Sequence, residues 1–398
     1  MGRKSALTSD GVPAWMVTPA ARSGVAVTDS TALQVATVLA CVRVIAQGMA
    51  QVPLKIHRRG AGGGSEVADD HPLHWLLYRK PNSWQTAYEL RSIMSVYREM
   101  TGNAVAYLNR GVDGRILEII PINPRHVSVE QGRDWRLTYR VTLATGEHVV
   151  LGQDDVWHER GLQWDATVGL DIIKVAREAI GLAIATEQSH ADMHRNGLQT
   201  SGVYSVDGKL PPDKHKELVT FLKNQASGDN RFNPIILDMD AKFLARSMSG
   251  VDAQHIETRK HQIEEQCRAF GVLPIMIGYA DKTATYASAE QMFIAHDVHC
   301  LAPRCEAREQ SIDVQLLGVP DRDTTHFAKH NLSGLLRGAV KDRGEYYAKM
   351  YSVGAMSPND IRALEDMNPY PGGDEYRVPL NMVPPGTPPA DPATTPDA

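Results

Sequence analysis

The sequence predicts an α+β fold, and three observations carry that prediction. Helical spacings of three and four govern residues 35–49 and 86–100, a two-residue alternation takes over from Asn103 to His158, and long helical patterns return from Asp171 onward. The first two give a mainly antiparallel sheet packed on two helices rather than a doubly wound nucleotide fold, and the third gives a largely helical remainder.

Residues 1–28 mix Gly, Pro, Ser and Thr with little periodicity and read as a loose arm. Val35, Val38, Val42, Ile45 and Met49 then form one apolar helix stripe, which Pro53 stops. After the glycine-rich stretch Gly60 to Gly64, a short helical turn is expected over His71 to Leu77. A helix over Thr86 to Met100 follows, with Leu90, Ile93, Met94 and Tyr97 on one side. The runs AVAYLNR, RILEIIPI, HVSVE, LTYRVTL, EHVVL and VWHE alternate as strands, and Asp113–Gly114 between the first two signals a hairpin.

A single long helix is expected from Asp171 to the Asn196–Gly197 stop, with the small residues Ala176, Ala179, Ala183 and Ala185 suited to close helix approach. Residues 200–249 read as a compact insert: a strand at GVYSV, a helix opened by Pro211–Pro212, and extended runs at NPIILD and AKFLARS. A second long helix spans Val251 to Phe270, where Ala253, Ile256, Lys260, Ile263, Cys267 and Phe270 repeat by three and four. Two rods flanking a small α/β insert suggest a stalk with a cap. IGYADKTATYASAEQ reads as a polar loop, and a helix over 289–317 is interrupted at Pro303. Helices at Lys341 to Val353 and Pro358 to Asp366 precede a Pro-rich tail expected to be disordered after Pro371.

Composition bounds the function. With 398 residues, 42% of them hydrophobic, the chain suits two or three modules. No apolar run approaches the roughly 20 residues of a membrane span, and MGRKSALTSDGVPAWMVTP lacks the apolar block of a secretory signal, so a cytosolic protein is expected. Cys41, Cys267, Cys300 and Cys305 make no CxxC pair and are expected as reduced thiols. The formal charge of −5 argues against a protein that grips DNA, but suits a conduit in which phosphates find no deep minimum.

Motifs for chemistry are absent: no GxxxxGKS or GxxxxGKT loop, no GxGxxG after a strand, no HExxH and no GxSxG, so neither catalysis nor a cofactor is expected. His190 and His194 lie one helical turn apart but lack a further ligand, and His71 and His74 beside a proline suit local hydrogen bonds. His296, His299, Cys300 and Cys305 make the best metal candidate, and with it the alternative of a metal-dependent hydrolase, although Pro303 separates Cys305 from the rest. Lys209, Lys214, Lys216 and Lys223 offer a basic patch on the insert. Asp207, Asp213, Glu217 and Asp229 are interspersed, so a mixed, solvated surface competes with that reading. Ile256, Ile263 and Phe270 are read as helix packing, within or between subunits.

The order of segments resembles the portal (head-tail connector) proteins of long-tailed double-stranded DNA bacteriophages. The resemblance runs through VLACVRVIAQGMAQVPLKIHRR, HPLHWLLYRKPNSWQTAYELRSIMSVYREMTGNAVAYLNR, EIIPINPRHVSVE, DDVWHERGLQWDATVGLDIIKVAREAIGLAIATEQ, RNGLQTSGVYSV, HQIEEQCRAFGVLPIMIGYADKTATYASAEQ and GEYYAKMYSVGAMSPNDIRALEDMNPYPGGD. Each is an ordinary helix or strand. Their joint order carries the resemblance over most of residues 33–374.

The resemblance implies a flexible arm at 1–28, an α+β wing at 29–170, a stem helix at 171–199, a clip at 200–249 and a second stem helix at 250–271. A wing return at 272–330 carries a tunnel loop at 279–288, followed by a crown at 331–372, shorter than the family's, and a tail at 373–398. It implies a ring, usually of twelve subunits, at one capsid vertex of the virion after assembly in the host cytoplasm. Double-stranded DNA would pass through it, touched by Lys282, Thr283, Thr285 and Tyr286. The terminase large subunit and then a head-completion adaptor would dock on the clip, with the major capsid protein around the ring. Physics adds one expectation: two long helices with a small cap have little core of their own, and find their cover on sister copies.

Overall fold

Thr28 and Thr31 cap each other, the Thr28 N–H donating to Thr31 Oγ1 at 2.8 Å and the Thr31 N–H to Thr28 Oγ1 at 3.3 Å, and so open helix α1 (Asp29–Gln34). The stripe of α2 (Ala36–Gln51) is buried as its spacing predicts, at Val38, Cys41, Val42, Ile45 and Met49. The structure is a computed structural model that describes residues 21–60, 64–196, 202–205, 211–225, 242–245, 251–279, 286–317, 325–332, 340–365 and 367–376. Its contacts divide the chain into a unit ending at Leu332 and another beginning at Ser333.

Past Pro53 the chain enters β1 (Leu54–Arg59), with Leu54 and Ile56 buried, and returns in β2 (Ser65–Val67). Helix α3 (Pro72–Tyr78) starts where His71 Nδ1 accepts from the Leu73 N–H at 3.2 Å. Helix α4 (Ala87–Thr101) opens on a Thr86–Glu89 capping box and stops at Gly102, whose φ is +74°.

The alternating region forms β3 (Asn103–Arg110), β4 (Ile116–Ile122), β5 (Val127–Gln131), β6 (Leu137–Thr142), β7 (His148–Gly152) and β8 (Val156–Arg160). They make two antiparallel three-stranded sheets, β4-β3-β8 and β5-β6-β7, rather than one. Strand β3 joins the two cores by its alternation. Ala104, Ala106 and Leu108 face the helices with Leu90, Met94 and Trp157, while Val105 faces Val127, Val129, Tyr139 and Val156.

The expected single helix after Asp171 is two: α5 (Ile172–Val175) and α6 (Arg177–Asn196), broken at Ala176. The break lets Ile173 and Ile180 enter the core while Gly181 meets residues 21–27. Those residues are therefore not a loose arm. Ala21 is buried, the Arg22 N–H donates to Glu178 at 3.0 Å, and a Cβ on Gly181 would lie 2.4 Å from that of Ala21. Beyond α6 come β9 (Gly202–Ser205), α7 (Pro212–Gln225) and β10 (Lys242–Ala245), with β9 and β10 antiparallel; the predicted run NPIILD lies outside the described residues.

Helix α8 (Val251–Phe270) ends as predicted at Gly271, φ +66°. Helix α9 (Tyr286–His296) begins inside the predicted polar loop. It continues through a π-helical turn at Asp297–Leu301 into α10 (Ala302–Ile312) and a second π turn at Asp313–Leu317. Pro303 does not interrupt this run, contrary to expectation. It lacks an N–H to offer, and the wider turn before it accommodates the residue that an α-helix would have rejected. Strand β11 (His326–His330) then pairs with β1, completing the sheet β11-β1-β2.

The second unit holds α11 (Val340–Ser352) and α12 (Pro358–Leu364), the latter opened by a Ser357–Asp360 capping box. Tyr347 donates to Glu365 at 2.7 Å, and Asn359 binds the Gly373 carbonyl through its N–H and Asp374 through its amide. The chain is thus held against α12 past Pro371, where a disordered tail was expected to start.

Candidate functional site

Whatever the two long helices do depends on how their bases are fixed. Asp171, the residue that caps α5, accepts from the Lys174 N–H at 3.1 Å and also binds Arg125, whose Nε donates to Asp29 at 2.7 Å. Burial works against the charge of Arg125, but the hydrogen bonds to Asp29 and Asp171 outweigh it and hold its pKa above the ordinary arginine value. One guanidinium therefore ties the start of α1 to the start of the first rod.

The loop before α5 is pinned from beneath. Asn103 Oδ1 accepts from the Gly169 N–H at 2.8 Å and from His158 Nε2 at 3.0 Å, and Tyr139 OH lies 3.2 Å from His158 Nδ1. Because Oδ1 can only accept, Nε2 carries the proton and Tyr139 donates, which makes the neutral imidazole the fitting state. Burial, with Arg160 nearby, lowers the His158 pKa to about 3. In the loop that follows β8, Leu162 and Trp164 stand 71% and 76% exposed.

Buried ion pairs fix the run from α9 to the second π turn. Arg304 donates twice to Glu99 at 2.8 Å and to the Phe270 carbonyl at 2.9 Å, joining α10, α4 and the end of α8. Arg308 donates to Glu159 at 2.9 Å, both side chains almost wholly covered, while Arg98 lies 3.4 Å from the other Glu159 oxygen. Arg91 donates to the Ala50 and Leu77 carbonyls, and burial followed by the charge of Arg308 lowers its pKa to about 10. Sequence reading missed these residues, though a signal existed: Arg91 and Arg98, or Arg304 and Arg308, lie one or two helical turns apart on faces shared with apolar residues.

The predicted site residues are distributed as follows. Lys209, Lys282, Thr283 and Thr285 lie outside the described residues. Tyr286 is the first residue of α9 and Lys223 lies near the end of α7. Lys214 and Lys216 are exposed, and Lys214 pairs with Glu217 at 3.1 Å, so the charge on that face is mixed. Ile256 lies in the first half of α8, Ile263 is half-buried, and Phe270 is buried inside this chain.

The end of α8 thus has intramolecular cover. Cys267 meets Cys41 of α2, and Gln262 donates to Thr186 of α6 at 3.3 Å. That corrects the expectation that the rods find cover only on sister copies.

The metal candidate does not assemble. His299 is exposed while His296, Cys300 and Cys305 are buried. Cys305 donates to the Met49 sulfur at 3.7 Å and Cys300 accepts from Arg304 at 3.3 Å. Burial pushes the Cys300 thiol up to about 11 and the Cys305 thiol up to about 12, away from the thiolate a metal requires. Among the described residues no three of His, Cys, Asp and Glu converge as a metal-holding group. None of the described helices is long and apolar enough to cross a membrane.

Comparison with known proteins agrees with the geometry. The family model described as phage portal protein matches residues 36–366. The probable portal protein of Streptomyces phage phiC31 is 32% identical over 378 residues, covering 91% of this chain and 81% of the relative. The portal protein of Enterobacteria phage HK97 is 29% identical over 362 residues, covering 90% and 84% respectively. Among solved structures, an HK97 family phage portal protein from Corynebacterium diphtheriae superposes with a TM-score of 0.60 at 17% identity, over 79% of this chain and 98% of that one. A chain in the neck of a native gene transfer agent particle, computed with twelvefold symmetry, gives 0.60 at 20% identity, over 90% and 96%.

Proposed function

The chain belongs to the phage portal protein family, and from that membership we propose that it is one subunit of a closed ring, twelve copies round, that conducts double-stranded DNA through a capsid vertex during packaging and ejection. In this reading residues 29–170 and 272–330 form the wing, the helices at 171–199 and 250–271 the stem, residues 200–249 the clip, and 331–372 the crown. Residues 1–28 flank it at one end, with 21–27 packed on α6, and residues 373–398 at the other. The ring assembles in the host cytoplasm and ends in the virion.

The observation that carries the reading is apolar surface left bare beside the well-fixed helix bases. Leu182 of α6 is 47% exposed, and Met292, Phe293, Ile294 and Val298 are exposed along α9 and the turn that follows it. Such patches fit a neighbouring copy. The clip reading gives Lys209, Lys214, Lys216 and Lys223 to the terminase large subunit and later to a head-completion adaptor. The tunnel-loop reading gives Lys282, Thr283, Thr285 and Tyr286 to the DNA, and the wing meets the major capsid protein. These assignments rest on the family resemblance, and the subunit does no chemistry of its own.

Light scattering of the purified chain tests the ring. Wild type is expected at about twelve subunit masses, and the double variant Leu182→Asp with Val298→Asp at a much smaller mass. Wild type holding at one subunit mass at every concentration would overturn the reading.

A further inference from the structure

Cys41 and Cys267 are free thiols whose sulfurs lie 3.8 Å apart although 226 positions separate them in the chain. Cys41 is in the middle of α2 and wholly covered. Cys267, also buried, is in the last turn of α8, close to the point where Gly271 ends that helix. From this juxtaposition we propose that the two form an oxidisable dithiol, a redox modification site whose disulfide staples the end of α8 to α2.

The sulfurs are in van der Waals contact, and a bond requires them to approach by a further ~1.8 Å to reach the length of about 2.05 Å. Rotation about the two side-chain bonds and a small slide of the last turn of α8 are needed for that approach. The other thiols are engaged elsewhere: Cys300 with Arg304 and Cys305 with Met49. The pairing is therefore selective. A hydrogen bond from Cys41 holds the Cys267 thiol below the ordinary cysteine value, against burial, and the same hydrogen bond pushes Cys41 up. We assign the first ionisation to Cys267 and the second to Cys41; the bond that forms is the same with the roles exchanged.

A peroxide is the oxidant class that fits this order of events. The Cys267 thiolate attacks one peroxide oxygen, the O–O bond breaks, and sulfur is oxidised to a sulfenic acid while the departing oxygen leaves as hydroxide and takes a proton to become water. The Cys41 sulfur then attacks that sulfenic sulfur, giving up its proton. The S–O bond breaks, a second water leaves, and the S–S bond forms. Two thiols and one hydrogen peroxide become one disulfide and two waters.

In a reducing compartment the pair stays open, and it closes when the protein meets an oxidising medium. The staple follows from the fold of the first unit alone and does not require the ring. Because it closes a loop of more than two hundred residues, it removes much conformational freedom from the unfolded chain.

Trypsin places the four cysteines on four different peptides, Ser23–Arg43, His261–Arg268, Thr283–Arg304 and Cys305–Arg308. The full-length protein is treated with hydrogen peroxide, its remaining thiols are alkylated after denaturation, and it is digested without reductant. The expected product joins Ser23–Arg43 to His261–Arg268, and dithiothreitol separates them. The melting temperature rises by about 5 °C on oxidation and falls back on reduction. Neither change occurs in Cys41→Ala or Cys267→Ser; both positions are buried, so either variant that keeps a native melting temperature serves as control, and the wild-type peptide map decides the question if neither does. Recovery of both peptides alkylated, or a bridge from Ser23–Arg43 to Thr283–Arg304, overturns the proposal.

Discussion

Gln315 stands in for a missing strand: its carboxamide accepts from the His158 N–H at 2.8 Å and donates to the His158 carbonyl at 3.0 Å. Strand β8 is the edge of its sheet, and the second π turn seals it with a side chain. The same stretch treats β11 alike, Asp313 accepting from the Ala328 N–H at 2.7 Å and Glu309 from that of His330 at 2.6 Å. Replacing Gln315 by Leu leaves two backbone groups without partners and is expected to destabilise the chain by about 1–3 kcal/mol, measured by urea denaturation. An unchanged midpoint would show that water replaces the side chain at no cost.

Glu159 neutralises two buried guanidiniums at once, those of Arg308 and Arg98. Glu159→Gln keeps the shape and removes the charge, so a loss of about 3–5 kcal/mol is expected. Replacing Glu159 and Arg308 together by Met and Leu is expected to cost less than Glu159→Gln alone, because no guanidinium then remains uncompensated at the deepest position. Thermal melts of the three proteins decide the order.

Acid sensitivity follows from His158. Its folded pKa, about 3, lies below the ordinary histidine value, so between the two the unfolded chain binds more protons than the folded one. Stability is therefore full above pH 6.5 and falls as the pH drops toward 3, by up to about 1.4 kcal/mol per pH unit from this residue. Burial lowers His74, His296 and His330 in the same direction and steepens the loss. Urea midpoints at pH 7 and pH 5 measure the slope, and His158→Gln is expected to flatten it.

Gly102 carries the chain from α4 into β3 with a left-handed φ, and a Cβ there would lie 2.0 Å from the Leu170 carbonyl oxygen. Gly102→Ala is expected to displace the loop that leads into α5 and to leave little soluble protein. Circular dichroism of whatever is recovered checks the prediction, and a native melting temperature would contradict it.

The elements that could be read from the sequence are those whose pattern is local and long. The α2 stripe, the six strands between Asn103 and Arg160, and α8 all carry their period in full view. Strand β1 takes its place from a distant partner: β11 pairs Leu54 with His330, a separation no local window contains. The buried arginines resemble solvated charges until the carboxylates facing them are known. Pro303 reads as a break because a π turn has no sequence signature that announces it. Reading the metal cluster by spacing alone likewise fails, since Cys305 turns toward Met49 and His299 toward solvent.

Electron microscopy of the purified full-length chain tests the ring most directly. Closed rings of about twelve subunits around an open centre are expected, with the helices at 177–196 and 251–270 nearest the hole. Images showing only separate particles the size of one subunit would contradict the account.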